Sequence, residues 1–278
     1  MGLGGHLTWT AAARELYKHK KTDNLKVFPC KQHDSNFYPV ESDIFLNNPY
    51  FHQGKLDGEK VFPLILNNPQ TNYWTRESSV SVEHKSDKHI IETLCAFYDI
   101  EHPELRCELY FTKEEEANVA KLIPQLSDDF VVIEPHSKLS YTVNRQYPFA
   151  KWQKVVDAIK DEIQVVQIGR EGNRVLDGAF DMTGKTSFRE AAALTEYAQL
   201  LLSSEGGLVH AATAVNTRSI VVLTGYQTLK MVQYPQNIYI DISSHGPCGL
   251  KTACGECLTD AAHHDYEEIV DQIEENIY

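Results

Sequence analysis

The fold class of this chain is decided by residues 199–225, which read QLLLSSEGGLVHAATAVNTRSIVVLTG. Two short apolar runs, QLLLSS and RSIVVLTG, flank the segment GGLVHAATAV, whose apolar residues recur at helical spacing. Continuous apolar strands are typical of parallel sheets that are covered on both faces. The stretch therefore predicts a strand–helix–strand unit of a parallel sheet.

The same alternation precedes this unit. It comprises a strand at Phe130–Glu134, a helix in PFAKWQKVVDAIKDE with Pro148 near its start, a strand in IQVVQIG and a helix in SFREAAALTEYA. Strands that alternate with helices predict a doubly wound parallel sheet and hence an α/β fold. Ligands of such sheets bind beyond the carboxyl ends of the strands, and Ser203–Gly207 lies at such an end.

The amino-terminal half is less regular. Its predicted elements are helices at Leu7–Lys18, at Lys88–Ile100 and in TKEEEANVAKLIPQL, which Thr112 caps, and strands at Leu25–Cys30 and Arg106–Phe111. Residues 31–75 are rich in Asn, Pro and aromatic residues, and their pattern predicts no regular element. We place a domain boundary near Ser127–Asp129, which gives domains 1–127 and 128–278. The helix HDYEEIVDQIEENIY closes the second domain.

Composition limits the function classes. The chain has 278 residues and a formal net charge of -13, which argues against a nucleic-acid-binding surface or a polybasic membrane anchor. No apolar run approaches the roughly 18 residues that a membrane span needs, and no signal peptide opens the chain. Six cysteines, three of them crowded together, do not match a small secreted disulfide scaffold. We therefore expect a cytoplasmic protein without an integral membrane segment.

A carboxylate, two glycines and a histidine occupy the join between strand and helix in SSEGGLVHAATA, residues 203–214. Glycines let a chain turn sharply, and this alone accounts for Gly206 and Gly207. A bound ligand is the second explanation, because the exposed amides of a helix N-terminus bind anions and glycines let the anion approach closely. The residues alone leave both explanations open.

Five segments of the carboxyl-terminal half stand in an order and spacing that match one enzyme family. They are EPHSKLSYTVNRQYPFAKWQKVVDAI, DMTGKTSFREAAALTEYAQLLLSS, EGGLVHAATA, TRSIVVLTG and CGLKTACGECL. Together they resemble glycosyltransferase family 9, the ADP-heptose:lipopolysaccharide heptosyltransferase type, from about Val131 to the end of the chain. The resemblance implies a GT-B fold, in which two Rossmann-like domains face each other across a cleft, with the first domain shortened here.

The resemblance also implies an activity. The implied enzyme is an inverting glycosyltransferase that moves a sugar, heptose included, from a nucleotide-diphosphate donor to a surface glycan or lipopolysaccharide acceptor. The leaving diphosphate gains negative charge as the glycosidic bond breaks, so basic side chains and backbone amides stabilise it, and no metal cofactor is expected. Two alternatives stay open: a sugar-nucleotide epimerase of the GT-B type, and a non-catalytic sugar-nucleotide-binding protein.

The resemblance assigns donor-binding roles to four residues before the join. Arg145 stands where the family has its basic residue, and a guanidinium can hold phosphate oxygens through two hydrogen bonds. Glu171 stands where the family has a carboxylate on the ribose hydroxyls. Lys185 and Thr186 stand where the family frames the nucleotide base. The alternatives are an ordinary surface arginine and an ordinary loop acid. A P-loop is excluded, because the earlier glycine that it requires would be Ala179.

At the join itself, the resemblance implies contacts with the diphosphate and the sugar. Gly206 and Gly207 would present their amides to the diphosphate. Glu205 replaces the family's shorter Asp and would accept hydrogen bonds from donor hydroxyls. His210, one turn into the helix, would face the same pocket, although a packed helix histidine explains it equally well.

The start of the chain departs from the family pattern. The family has a first strand and a glycine-rich loop that ends in Gly-Asp, and that Asp is its base. Here the sequence MGLGGHL retains Gly4 and Gly5 of the loop, but Gly5 stands in place of the Asp and His6 follows. An imidazole titrates near neutral pH, so His6 is the candidate base. The alternative is a loop residue that contacts the acceptor. Almost no residues remain for the family's first strand.

Three cysteines cluster near the carboxyl terminus, at Cys248, Cys254 and Cys257, and His263 and His264 follow. Cysteine and histidine at such spacing can form a tetrahedral zinc site. A single Cys-x-x-Cys pair is weaker than the paired motifs of zinc knuckles. We therefore expect reduced thiols and no bound metal.

Overall fold

The structure is a computed structural model that describes residues 2–85, 87–138 and 140–277. The amino-terminal half contains α1 (Leu3–Lys18), β1 (Val27–His33), β2 (Asn36–Pro39), β3 (Phe62–Ile65), β4 (Trp74–Arg76), β5 (Val82–His84), α2 (Ile90–Ala96) and α3 (Lys113–Leu122). The carboxyl-terminal half contains β6 (Phe130–Glu134), α4 (Phe149–Ile159), β7 (Gln164–Gln167), β8 (Phe180–Asp181), α5 (Phe188–Thr195), β9 (Leu200–Ser204), α6 (Gly207–Ala214), β10 (Ser219–Leu223), α7 (Leu229–Val232), β11 (Ile238–Asp241), α8 (Gly255–His263) and α9 (Glu267–Ile277).

The carboxyl-terminal half is built on a six-stranded parallel sheet in the order β11-β10-β9-β6-β7-β8. The chain moves outwards from β6 in one direction and then reverses to β9 on the other side. The carboxyl ends of β6 and β9 therefore lie side by side, and Glu134 pairs with Ser203 in the register of these strands. Such a reversal of strand order is where parallel sheets bind ligands. The parallel sheet predicted from residues 128–225 is confirmed.

Each central strand buries both of its faces. Leu201 and Val221 contribute to a core shared with α1, α5 and α6, whereas Leu202 and Val222 contribute to a second core under α4 and α9. Full burial of one such side chain stabilises the fold by roughly 1.5–3 kcal/mol. This two-sided burial explains why the central strands read as continuous apolar runs rather than as alternating ones.

The amino-terminal half holds a three-stranded sheet in which β1 pairs antiparallel with β2 and parallel with β3. Its helix α1 packs against α2 and α6, and the apolar residues of α1 belong to the same core cluster as one face of the large sheet. The segment that showed no regular pattern, residues 31–75, supplies β2, β3 and the last three residues of β1. No helix in the described ranges is long and apolar enough to cross a membrane.

Several element predictions need correction. Helix α1 begins at Leu3, one turn before the predicted start, so the supposed glycine loop is the first turn of a helix. The predicted strand at 106–111 is not a strand and pairs with none among the described residues. Its amides instead bond side chains of flanking helices: Glu108 N donates to Thr10 Oγ1 at 2.8 Å and Cys107 N donates to Thr213 Oγ1 at 3.1 Å. Strands β4, β5, β8 and β11 and helices α7 and α8 were not predicted. Tyr278, the last residue of the predicted closing helix, lies outside the described residues.

Arg189 on α5 ties the two halves together. Its side chain is 4% exposed, and its Nε lies 2.6 Å from Oε1 of Glu115 on α3. The other guanidinium nitrogens donate to the backbone oxygens of Asp43 and Tyr110, at 2.9 and 2.7 Å. A planar guanidinium that donates from all three of its nitrogens fixes the groups that it contacts. The amino-terminal half is thereby held against the sheet edge that carries the site.

Candidate functional site

A cavity of about 900 Å³ lies at the carboxyl edge of the large sheet. Its walls come from both halves of the chain: the first turn of α1 and His84 on one side, and the ends of β6 and β9 with their following loops on the other. This volume accommodates a ligand larger than a single sugar, because ligand pockets typically span about 300–1,000 Å³. The cavity is therefore the candidate active site.

Three helix N-termini border this cavity. Residues Gly2–Gly5 of α1, Ser187 and Phe188 of α5, and Gly206 and Gly207 of α6 all line it. The amides of a first helical turn lack intrahelical partners, and the helix dipole makes this end positive. An anionic ligand in the cavity would meet amides from three directions.

Close packing of two glycines brings α1 and α6 together at the cavity. A Cβ atom on Gly4 would lie 3.0 Å from the Gly207 Cα and 3.1 Å from the His210 Cδ2. A side chain on Gly4 would therefore displace α6, whereas a Cβ on Gly207 would make ordinary contacts, the nearest at 3.5 Å. Gly4 and Gly207 both line the cavity, and the first turn of a helix takes the place of the predicted loop; the contact of Gly207 with a diphosphate stays a prediction.

Arg145 lies between two aromatic rings beside this helix end. Its guanidinium carbon is 5.1 Å from the Tyr141 ring centroid and 4.9 Å from that of Tyr226. Its Nε is 3.0 Å from Oε2 of Glu205, and its Nη2 donates to Oε1 of Gln227. The two aromatic faces and the carboxylate hold the guanidinium in one orientation at the cavity wall. Arg145 thus lies beside the glycine-rich join, and its contact with a donor diphosphate stays a prediction.

Glu205 and His210 form a buried pair behind Arg145. Glu205 is 7% exposed, and its Oε1 lies 3.9 Å from Nε2 of His210. The other ring nitrogen of His210, Nδ1, shares a hydrogen bond of 2.6 Å with the Tyr234 hydroxyl. Burial, with a smaller contribution from Arg145, lowers the pKa of His210 to about 4. The imidazole is therefore neutral at physiological pH, and it is a packed helix histidine that also lines the cavity.

Glu134 is a cavity residue that sequence reasoning missed. It ends the buried strand β6 and lines the cavity beside Ser203. Burial raises the pKa of its carboxyl to about 7, against the opposing charge of Arg170. A carboxyl that titrates near neutrality exchanges protons readily at physiological pH. The sequence feature that could have identified Glu134 is its position as a lone carboxylate at the end of an otherwise apolar strand.

The remaining predicted donor residues separate into two groups. Glu171 and Thr186 line the cavity together, held by the turn in which Gly184 N donates to Gly169 O at 2.9 Å. Lys185 is exposed and is not among the residues lining the cavity. Its Nζ donates to the Asp181 carbonyl and lies 5.9 Å from the centroid of the Phe180 ring. The predicted contact of Lys185 with the nucleotide base is therefore not supported by its position.

His6 lies on the far side of α1 from the cavity. Its Nδ1 shares a hydrogen bond of 2.8 Å with the Ser42 hydroxyl, and its ring packs against Phe45 at 5.3 Å between centroids. Burial lowers the pKa of the imidazole. Because residues 4, 5 and 8 line the cavity but residue 6 does not, the helical geometry points His6 elsewhere. Its role as the base stays a prediction that the structure does not favour.

A second cluster of reactive side chains lies on the loop after β11 and the start of α8. The sulfurs of Cys248 and Cys257 are 3.4 Å apart, and His245 Nε2 is 3.4 Å from the Cys257 sulfur. None of the three predicted cysteines forms a disulfide. The histidines predicted for this cluster lie elsewhere: Nδ1 of His263 bonds the Thr259 carbonyl, and Nδ1 of His264 bonds the Tyr147 hydroxyl. The partner histidine is instead His245.

Fold and cavity together define an α/β protein of the GT-B class, as predicted. The chain belongs to glycosyltransferase family 9 (heptosyltransferase), whose family model matches residues 74–251. The family expected from the motifs is thereby confirmed. No curated protein sequence matches the chain.

Solved structures with the same fold include three bacterial proteins. The chain is 11% identical to a family 9 glycosyl transferase from Veillonella parvula, with a TM-score of 0.65 over 99% of this chain and 94% of that one. It is 14% identical to the iron-containing dodecameric glycosyltransferase TibC of enterotoxigenic Escherichia coli, with a TM-score of 0.65 over 100% and 75%. It is 14% identical to the E. coli ADP-heptose LPS heptosyltransferase II, with a TM-score of 0.52 over 68% and 61%. The chain thus spans about three fifths of the length of the last enzyme, and these identities establish the fold alone.

Proposed function

We propose that this chain is an inverting glycosyltransferase that takes a sugar from a nucleotide-diphosphate donor and transfers it to a glycan or glycolipid acceptor. One observation carries the proposal: Arg145 and three helix N-termini converge on one cavity between the two halves of a family 9 fold. A diphosphate leaving group needs this kind of fixed positive environment, because its charge increases in the transition state.

The donor fits this cavity in one orientation. Its diphosphate lies at Arg145 and the amides of Gly206 and Gly207, and its ribose hydroxyls lie at Glu171. Thr186 then borders the base, and the sugar extends towards Glu205 and His210. A heptose-type donor is favoured by the family description and by a TibC complex with ADP-D-β-D-heptose, which has a TM-score of 0.56 to this chain.

Departure of the diphosphate requires no metal ion in this scheme. The guanidinium and the helix ends neutralise the developing charge, as a divalent cation does in other transferases. Turnover should therefore persist with Arg145 in place and without added Mg²⁺ or Mn²⁺. A strict requirement for either ion would contradict this part of the proposal.

Glu134 is the residue that we assign to proton transfer from the acceptor hydroxyl. It lines the cavity, and its raised pKa of about 7 gives it the basicity that this step needs at physiological pH. Inversion requires attack from the side opposite to the leaving group, so the acceptor enters from the α1 side of the cavity. Glu134 replaces His6 in this assignment because His6 hydrogen-bonds Ser42 outside the cavity.

A non-catalytic sugar-nucleotide-binding protein is the second candidate. The position of His6 and the glycine at residue 5, where the family has its base, favour it. Calorimetric titration of the chain with ADP, UDP, GDP and their sugars tests donor binding for both candidates. Release of nucleoside diphosphate in the presence of bacterial glycolipid extracts then separates them. Binding without any turnover would support the second candidate, and absence of binding would contradict both.

A further inference from the structure

The Cys/His cluster consists of His245, Cys248, Cys254 and Cys257. Cys257 Sγ lies 3.4 Å from Cys248 Sγ and 3.4 Å from His245 Nε2, and Cys254 Sγ lies 3.8 Å from the same nitrogen. The ligand atoms of His245, Cys254 and Cys257 all lie within 4.8 Å of one another. Cys254 and Cys257 are 6% and 1% exposed. Three metal-ligating side chains therefore surround one small volume, and the half-buried Cys248 adjoins it through its contact with Cys257.

These separations match a tetrahedral metal site. Metal bonds of about 2.3 Å to sulfur and about 2.0–2.1 Å to nitrogen place tetrahedral ligand atoms roughly 3.5–3.8 Å apart. A disulfide would need sulfurs about 2.05 Å apart, whereas the closest pair here is 3.4 Å apart. Paired thiols packed around an imidazole at this spacing are already close to the arrangement that one ion requires.

A contact with Asp260 orients His245 as a metal ligand. Its Nδ1 lies 3.2 Å from Oδ2 of Asp260, so its Nε2 points at the cysteines. Asp260 is itself held by Ser244, whose backbone N and Oγ lie 2.8 and 2.9 Å from Oδ2. A histidine that binds a metal through one nitrogen characteristically donates the other N–H to a carboxylate. Asp260 thus holds the His245 imidazole in the orientation that a metal-binding histidine needs.

We propose that His245 Nε2 and the sulfurs of Cys248, Cys254 and Cys257 bind one tetrahedral transition-metal ion of the zinc or ferrous class. This assignment departs from the expectation of free thiols without metal. The ion has a structural role, because four protein ligands leave no open position for substrate. The proposal does not depend on the proposed glycosyl transfer.

The metal loop braces the surroundings of Arg145. The neighbouring Asn144 donates through Nδ2 to the carbonyls of Leu250 and Thr252, at 2.7 and 2.8 Å, and accepts from Cys254 N at 2.8 Å. Cys248 N donates to Gly225 O at 2.9 Å, next to the Tyr226 ring against Arg145. An ion that fixes this loop therefore fixes the position of the arginine as well.

Gly249 brings the same loop against β5. It has a φ of +60°, and a Cβ at this position would lie 1.9 Å from the Val82 carbonyl oxygen. Val82 N donates to Gly249 O at 2.9 Å. The loop is thus in direct backbone contact with the strand that carries His84 into the cavity, and metal binding couples to both walls of the site.

Metal analysis of the full chain tests the proposal. The chain is expressed with zinc and with iron in the medium, and plasma mass spectrometry gives the metal content per chain. Replacement by Co²⁺ then reports the ligands, because tetrahedral thiolate coordination gives thiolate-to-cobalt charge-transfer and intense d–d absorption. We expect one ion per chain in the wild type, and the element found distinguishes zinc from iron.

Matched variants locate the ion. Cys254→Ser and His245→Gln should lose most of the metal and the cobalt absorption, whereas Cys95→Ala, which removes a buried thiol from α2, should retain both. His245→Cys should restore binding, which separates ligand loss from misfolding. Wild-type chain that folds without metal and gives no cobalt absorption would overturn the proposal, as would full metal content in Cys254→Ser. Calorimetry of the wild-type chain measures donor binding separately, so failure of the metal assignment and failure of the proposed function are distinguishable.

Discussion

The Nε atom of Arg145 lies 3.0 Å from Oε2 of Glu205, a carboxylate that is 7% exposed. Neither atom has an aligned hydrogen bond among the described residues, so the contact is an ion pair with unused hydrogen-bonding capacity. Such a pair keeps the arginine in place before the ligand arrives. An anion that enters the cavity would compete with Glu205 for hydrogen bonds from the same guanidinium.

Arg145→Ala should weaken the binding of nucleoside diphosphates about ten- to hundredfold. Loss of a charge-assisted hydrogen bond of about 1.5–3 kcal/mol produces this change. Isothermal titration calorimetry measures it, with Arg218→Ala as the matched control, since Arg218 is exposed and bonds Asn276 at the other end of β10. Unchanged affinity in Arg145→Ala would remove this residue from the diphosphate site.

The same substitution should destabilise the fold by about 1–3 kcal/mol, because it leaves the Glu205 carboxylate buried without its partner. The double variant Arg145→Ala/Glu205→Gln should recover most of this loss, since a neutral amide needs no counterion. Urea unfolding of the single and double variants measures the difference. Recovery of stability without recovery of nucleotide affinity would separate the structural from the binding role of Arg145. Equal stabilities of the single and double variants would contradict the attribution of the loss to an unpaired Glu205 carboxylate.

Glu134→Gln should lower turnover by about 10²–10⁴-fold, the usual contribution of a general base. Burial raises the pKa of Glu134 to about 7, so the wild-type rate should increase with pH through that value as the carboxyl loses its proton. The variant should lose this pH dependence while its donor affinity at pH 8 stays close to that of the wild type. His6→Ala is the informative comparison. If it lowers turnover and Glu134→Gln does not, the base is His6.

The free energy of unfolding should decrease as the pH falls from about 6.5 to 4. Burial, together with the charge of Arg145, lowers the pKa of His84 to about 4. In this window the unfolded chain binds a proton that the folded chain does not, so each pH unit costs up to about 1.4 kcal/mol of stability. His89 and His210, whose pKa values are lowered to about 3 and about 4, add to the same effect.

His84→Phe tests this titration. Both ring nitrogens of His84 are buried and lack hydrogen-bond partners among the described residues, and the ring packs edge-on against Tyr226 at 5.0 Å. Phenylalanine keeps the packing and removes the proton, so the pH slope should flatten while the stability at pH 7.5 is equal or higher. His33→Phe, at an exposed position, should leave the slope unchanged. An unaltered slope in His84→Phe would contradict the assignment.

Gly4→Ala should destabilise the chain by about 1–3 kcal/mol, the scale of overpacking in a close contact. The added methyl would lie 3.0 Å from the Gly207 Cα and would move α1 away from α6. Donor affinity should fall in parallel, because the displacement separates two helix N-termini at the cavity. Gly2→Ala is the control, since a Cβ there meets no atom within 4 Å. Thermal unfolding of both variants gives the comparison.

The sequence was sufficient to predict the elements whose starts and buried faces depend on neighbouring residues. Thr112 and Glu115 predict the start of α3, and the structure has both reciprocal hydrogen bonds of that cap. The segment at 106–111 shows the limit. Its alternating pattern is that of a strand, but two threonine hydroxyls satisfy its amides, and that pairing depends on helices distant in the chain. The cavity residues divide in the same way: the family motifs located Arg145 and the glycines, whereas nothing local distinguished Glu134.

By itself, the sequence determined the parallel sheet, the family and the glycine-rich join, because apolar runs and turn residues act on their immediate neighbours. Only the tertiary structure decided which titratable groups share a cavity. Glu134 and Glu205 reach the same edge because β6 and β9 are adjacent in the sheet although about 70 residues separate them. His6 does not line the cavity because its segment is a helix rather than a loop. His245 lies beside the three cysteines because its loop folds back onto α8. Spatial order of strands and the direction of a helical side chain are collective properties of the packed core, and no short stretch of sequence encodes them.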